Sequence, residues 1–174
     1  VIVFALGVGT PLAVFGALFH ALNHACAKSL LFFSAGNIVK RFKTHNMHLI
    51  QGVLAAMPWT GTAMLVGLFA IIGMPPFAIF VSKLTIIAAA FEQKYFILVM
   101  LMLLFLALVF AALLLHISKV VFGNKPKNIP RTKETLSEKM VFSGLLFYLL
   151  VLGLVLPFPL RLLLDRAVDV VRGV

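Results

Sequence analysis

Apolar residues run through this chain in long blocks, and the polar residues fall mainly between the blocks. An α-helix needs about 20 apolar residues to cross a bilayer. On that measure the runs predict crossings at 12–39, 60–91, 95–122 and 140–159. The opening run, 1–8, is too short to cross. It has neither a basic n-region nor a small-residue cleavage site, so no signal peptide is expected and it reads as the remainder of a longer helix. Gly9, Thr10 and Pro11 then form a turn, with proline suited to a first helical turn. The mixed stretch 47–57, ended by Pro58, predicts a short interfacial helix with Trp59 as an interfacial anchor. The tail, 161–174, keeps Leu162, Leu163, Val170 and Val171 among charges and predicts a second one.

The run at 60–91 is too long for one ordinary helix and is interrupted by Gly73, Met74, Pro75 and Pro76. Two consecutive prolines remove two backbone donors, so carbonyls from 69 to 72 lose their helical partners. Inside a membrane such a break survives where protein or water satisfies those groups, as in the discontinuous helices of ion pathways. Lys83 follows, flanked by Ser82 and Thr85, and about 12 Å of helix separates it from the polar turn that begins at Glu92. That is beyond comfortable snorkelling reach. The fold class expected is all-α, a polytopic membrane helix bundle with one proline-broken transmembrane helix, forming a single membrane domain over 1–174.

Within the run at 12–39 lies FHALNHACAKSLLFFSAGN. His20, His24 and Lys28 are four residues apart, which stacks three ionisable side chains along one helix face about 6 Å apart. One histidine on an apolar helix is ordinary packing, but three such groups in register point to use, because intramembrane charge is costly. His116, near the basic end of the third crossing, is a further candidate for proton relay.

Composition sharpens this picture. The chain has 174 residues, 63% of them hydrophobic and 11% charged, a surface no soluble domain of this size could carry. Its net charge of +10 lies mostly between apolar runs, where it sets membrane orientation, and no basic run interleaved with aromatics suggests nucleic acid. Nine lysines and arginines (Lys40, Arg41, Lys43, Lys119, Lys125, Lys127, Arg131, Lys133, Lys139) fall in the loops at 40–59 and 119–139. Four (Lys94, Arg161, Arg166, Arg172) fall on the other side, which predicts a cytoplasmic position for the first pair of loops and places His116 towards that face. The single cysteine, Cys26, cannot form an internal disulfide, and no Cys/His cluster offers a metal site. Nucleophile elbows, phosphate loops, zinc-protease helices and dinucleotide fingerprints are all lacking, so no cofactor is expected and any redox chemistry belongs to another chain.

Imidazole titrates near neutral pH, and a lysine amine shifts readily when desolvated. A helix-turn ladder of such groups passes protons with the help of water. An opposite charge moving towards Lys28 or Lys83 would couple a remote event to that transfer, although no intramembrane acid is present to act as partner.

The pattern HxxxHxxxKSLLFFxAGN at 20–37, MPWTG at 57–61 and GMPPFAIFVSKLTI at 73–86 resembles the C-terminal half of the antiporter-like subunits. These are shared by complex I, Mrp cation antiporters and membrane-bound hydrogenases. The nearest likeness is to the F-type subunit of group four hydrogenase and formate hydrogenlyase complexes, from the 19–38 stretch, MPWTG and the PFPLR segment. The resemblance implies a proton-translocating subunit of a redox-driven complex in the inner cell membrane, with other membrane subunits as partners. It implies further that His20, His24 and Lys28 belong to a central polar axis, with Lys83 as the charged residue of a second broken helix, and that a first repeat is missing. An Mrp-type Na+/H+ antiporter subunit and a non-conducting scaffold are the alternatives.

Overall fold

The computed structural model describes residues 1–126, 129–130 and 133–173. Lys127 and Arg131, counted above for orientation, lie outside the described residues. The described part is all-α: α1 (Ile2–Val8), α2 (Pro11–Phe42), α3 (Val53–Ala56), α4 (Pro58–Ile72), α5 (Ala78–Glu92), α6 (Phe96–Phe122), α7 (Leu136–Leu154) and α8 (Phe158–Arg172). Two of these, α6 and α7, are long and apolar enough by length and composition to cross a membrane.

Local chemistry sets the boundaries. Gly9 ends α1 in the left-handed region, Thr10 Oγ1 accepts from Ala13 N, and Pro11 opens α2. Thr135 and Glu138 form a reciprocal capping box, so α7 starts at Leu136, four residues ahead of the apolar run read from the sequence. It stops at Leu154, three residues before Pro157. The single interfacial helix expected over 47–57 is instead a 3₁₀ turn, Met47–Leu49, and the one-turn α3. Gly52, at φ +65°, divides them, and the Gly123 and Lys125 backbone lies so close that a side chain there would collide.

The long α2 is the hub, touching α1, α4, α5, α7 and α8. Small residues let the backbones approach, as expected inside a membrane bundle. A Cβ on Gly16 would meet Ile86 of α5 at 2.7 Å, and one on Gly67 of α4 would meet Leu31 and Leu30 of α2 at 3.1 and 3.2 Å. Gly153 of α7 sits directly on Pro76, Phe77 and Ala78, so α7 covers the break between α4 and α5. The main core joins these four helices through Ala27, Leu30, Ala63, Ala70, Phe77, Ile79, Phe142 and Leu149. In contrast, α6 leaves most of its large apolar side chains exposed, among them Ile97, Met100, Phe105 and Leu108.

Candidate functional site

The break is built at the C-terminus of α4. Gly73 takes φ +81°, which ends the helix, and its N–H donates to Ala70 O while Met74 N donates to Phe69 O. Pro75 and Pro76, joined by a cis peptide bond, carry the chain across to α5. The sequence left the carbonyls of 69–72 without helical partners. The turn itself satisfies two of them, and Lys83 of α5 reaches back to a third, with Nζ donating to Ile72 O at 2.6 Å. Gly73 makes that reach possible, since a Cβ there would lie 3.0 Å from Nζ and 3.1 Å from Cδ of Lys83.

Alongside, α2 presents the ladder. His20 is buried, His24 half-buried and Lys28 exposed, so the three rungs run from the core outwards. The His20 and His24 rings are stacked with centroids 5.6 Å apart, and Lys28 Nζ lies 5.9 Å from the centroid of Phe32. Ser82 ties the ladder to α5. Its hydroxyl donates to Ile79 O at 2.9 Å, so its lone pair is what meets His20 Nδ1, also at 2.9 Å. The hydroxyl has one proton and has spent it, which assigns the proton at that contact to Nδ1 and leaves Nε2 of neutral His20 as an acceptor. Asn23, on the same helix and fully buried, donates to Phe19 O.

His20, His24, Lys28 and Lys83 all line one cavity of about 370 Å³. The rest of its wall is Val1 beside α1, Leu31, Leu68, Ile71 and Ile72, and Leu106, Val109, Phe110, Leu113 and Ile117 of α6. At about 30 Å³ per water such a space holds on the order of ten molecules, enough to join groups that do not touch. The lining holds four basic side chains and, among the described residues, no carboxylate. His116 is not among them. It is exposed on α6, with Nδ1 2.7 Å from Ala112 O, and lines a different cavity.

Glu134 is a residue whose part the sequence did not reveal. It is buried, and its carboxylate accepts from Trp59 N at 2.9 Å, Thr60 N at 2.6 Å and the Thr60 hydroxyl. It thus caps the N-terminus of α4, whose own N-cap, Met57, has no side chain able to do so. Lys139 Nζ, 5.6 Å from the Trp59 ring centroid, and Arg41, donating to Pro130 O at 2.8 Å, hold the same loop against the bundle.

Comparison with known proteins agrees with this architecture. A family profile described as NADH:quinone oxidoreductase/Mrp antiporter, transmembrane, matches residues 1–111. Hydrogenase-4 component B of Escherichia coli K12 is 46% identical over 74 residues, 42% of this chain and 11% of that one. A hydrogenase-4 component F homolog of Methylacidiphilum infernorum is 33% identical over 94 residues, 54% of this chain and 20% of that one. A Na(+)/H(+) antiporter subunit of Bacillus subtilis is 28% identical over 150 residues, 86% of this chain and 30% of that one. The chain therefore spans a third or less of the length of each of these relatives. In the structure of the Mrp complex from Dietzia, a chain shares the fold at a TM-score of 0.76 and 19% identity, over 96% of this chain and 39% of that one.

Proposed function

We propose, from the premise that the chain belongs to the NADH:quinone oxidoreductase/Mrp antiporter transmembrane family, that it carries one proton path of an antiporter-like membrane subunit. The subunit crosses the inner cell membrane several times and works beside other membrane subunits in a redox-driven complex of the hydrogenase or complex I kind. Lys83 and Lys28 are the sites that gain and lose protons, and His20 and His24 with intervening water are the relay between them. His116 lines another cavity and stands apart from these four.

The observation that carries the reading is the shared cavity. Four basic side chains from α2 and α5 meet in one space beside a severed helix, whereas the buried carboxylate of Glu134 is spent on capping α4. Packing alone would not need them there, because burying His20 and half-burying Lys83 with no acid beside them costs free energy that a leucine would not. The match to a Na(+)/H(+) antiporter subunit over 86% of this chain favours sodium-for-proton exchange as the second reading.

The test is proton pumping by vesicles holding the whole complex, with Lys83→Ala and His24→Ala compared with the unaltered protein. The expected result is fewer protons moved per electron at preserved complex assembly. An unchanged ratio in both variants overturns the path, and transport that requires sodium transfers it to the antiporter reading.

A further inference from the structure

A second cavity, of about 420 Å³, lies at the C-terminal end of α6. Its polar wall is His48 and Gln51 from the connection after α2, with His116 and Lys119 from α6. Met47, Leu115 and Val120 complete it, and no carboxylate lines it among the described residues. Lys119 has no ion pair there either; the described ion pair is the remote Arg161 to Asp165 contact. The cavity sits at the end of the bundle where α2 finishes in Lys40 and Arg41 and α7 begins near Lys139; the acids at that end, Glu134 and Glu138, are engaged as helix caps.

Two of its side chains are already set by the fold. His116 Nδ1 faces the Ala112 carbonyl, which can only accept, so Nδ1 carries the proton and Nε2 of the neutral ring is left as an acceptor, which fits a headgroup hydroxyl and not a phosphate oxygen. Gln51 is held by a 3.3 Å bond from Nε2 to His48 O and rests against Gly123.

From this cavity a stripe of leucines leads along α6. Leu115, Leu108, Leu104 and Leu101 follow one another at seven, four and three residues, which keeps them on one helix face. They are 66%, 58%, 55% and 45% exposed. The stripe runs 14 residue steps from Leu101 to Leu115, about 21 Å at helical rise, and Lys119 continues it on the same face at its polar end. A basic, polar hollow in series with a long apolar track suits one kind of molecule.

We propose that this end of α6 binds an anionic phospholipid. Its phosphate sits among Lys119, His48 and Gln51, a headgroup hydroxyl donates to His116 Nε2, and one acyl chain lies along the Leu115 to Leu101 stripe. Charge complementarity selects anionic over zwitterionic headgroups, and the leucines select a lipid over free phosphate. The proposal uses no residue of the proton path, so the two stand or fall separately.

The experiment uses the full-length protein in its complex, extracted from the membrane in mild detergent and offered dioleoyl phosphatidylglycerol, dioleoyl phosphatidylcholine or inorganic phosphate. Bound lipid is counted by native mass spectrometry. The expected result is one phosphatidylglycerol retained per copy at a concentration where phosphatidylcholine is not. Lys119→Gln should weaken that retention about fivefold, and Leu104→Ser combined with Leu108→Ser should weaken it too. A phosphatidylglycerol with a photoreactive acyl chain, used on the unaltered protein, should crosslink within 101–115, a readout that needs no variant to fold. Equal retention of both lipids, crosslinks confined to other helices, or Lys119→Gln without effect would overturn the proposal. Displacement by inorganic phosphate alone would reduce the site to an adventitious anion only.

Discussion

Lys83 holds Ile72 O and lines the cavity with the same amine. Two substitutions separate these duties. Lys83→Met loses the hydrogen bond, with an expected loss of about 1–3 kcal/mol in unfolding measured in detergent, and loses transport as well. Lys83→Arg keeps donors and charge but cannot release its proton, so stability should survive near the original value while proton transfer fails. Equal transport in Lys83→Arg would remove the lysine from the path. Gly73 is constrained twice, by φ +81° and by Lys83 Nζ. Gly73→Ala should therefore cost about 1–3 kcal/mol, read from the same unfolding curves. The ladder, the break and Lys83 were all legible in the sequence, because polar residues in an apolar field advertise themselves. The outward gradient from His20 to Lys28 was not, since spacing reports which residues share a face and not how deep the neighbours bury each one.

At the scale of elements, α4 depends for its cap on a residue 74 positions beyond Thr60. Glu134→Ala would leave Trp59 N, Thr60 N and the Thr60 hydroxyl without their acceptor. The expected loss is about 2 kcal/mol, with earlier proteolysis of the loop before α7 as the check, and Glu134→Gln should lose less because one acceptor oxygen remains. In the sequence Glu134 is one charge among the lysines of a hydrophilic loop. The available signal lay elsewhere, in a helix opening Met-Pro-Trp-Thr without a Ser, Thr, Asp or Asn at its N-cap, which obliges the donors to find an acceptor from another segment. The Thr135 to Glu138 capping box was equally present in the sequence and moves the start of α7 ahead of its apolar run, since caps and not hydropathy decide where a helix begins. Similarly, the stretch 47–57 shows no feature that forbids one helix except Gly52, whose positive φ is demanded by the Gly123 and Lys125 backbone packed on it.

Across the whole molecule, burial is lopsided. α2, α4, α5 and α7 share the core, whereas α6 touches the bundle along a narrow strip that includes Val99, Met102, Ile117 and Val121. An arginine at Leu104, near the middle of α6 and 55% exposed, should meet hydrocarbon. It is expected to cost about 2.5–3.5 kcal/mol in a membrane-insertion assay, whereas the same change at a water-facing position would be nearly neutral. The order of the helices followed from hydropathy, but the central place of α2 did not, because it rests on glycines whose partners lie in distant segments.

The clasp between Lys83 and the end of α4 has one further implication. A primary amine keeps hydrogens to donate whether it is an ammonium or a free base, so the grip on Ile72 O outlasts the departure of its charge. A carboxylate in that place would let go on ionising, having nothing left to offer a carbonyl. The joint of the broken helix is thus indifferent to the charge on Lys83: on the proposed path, protonation could cycle while the scaffold stands still.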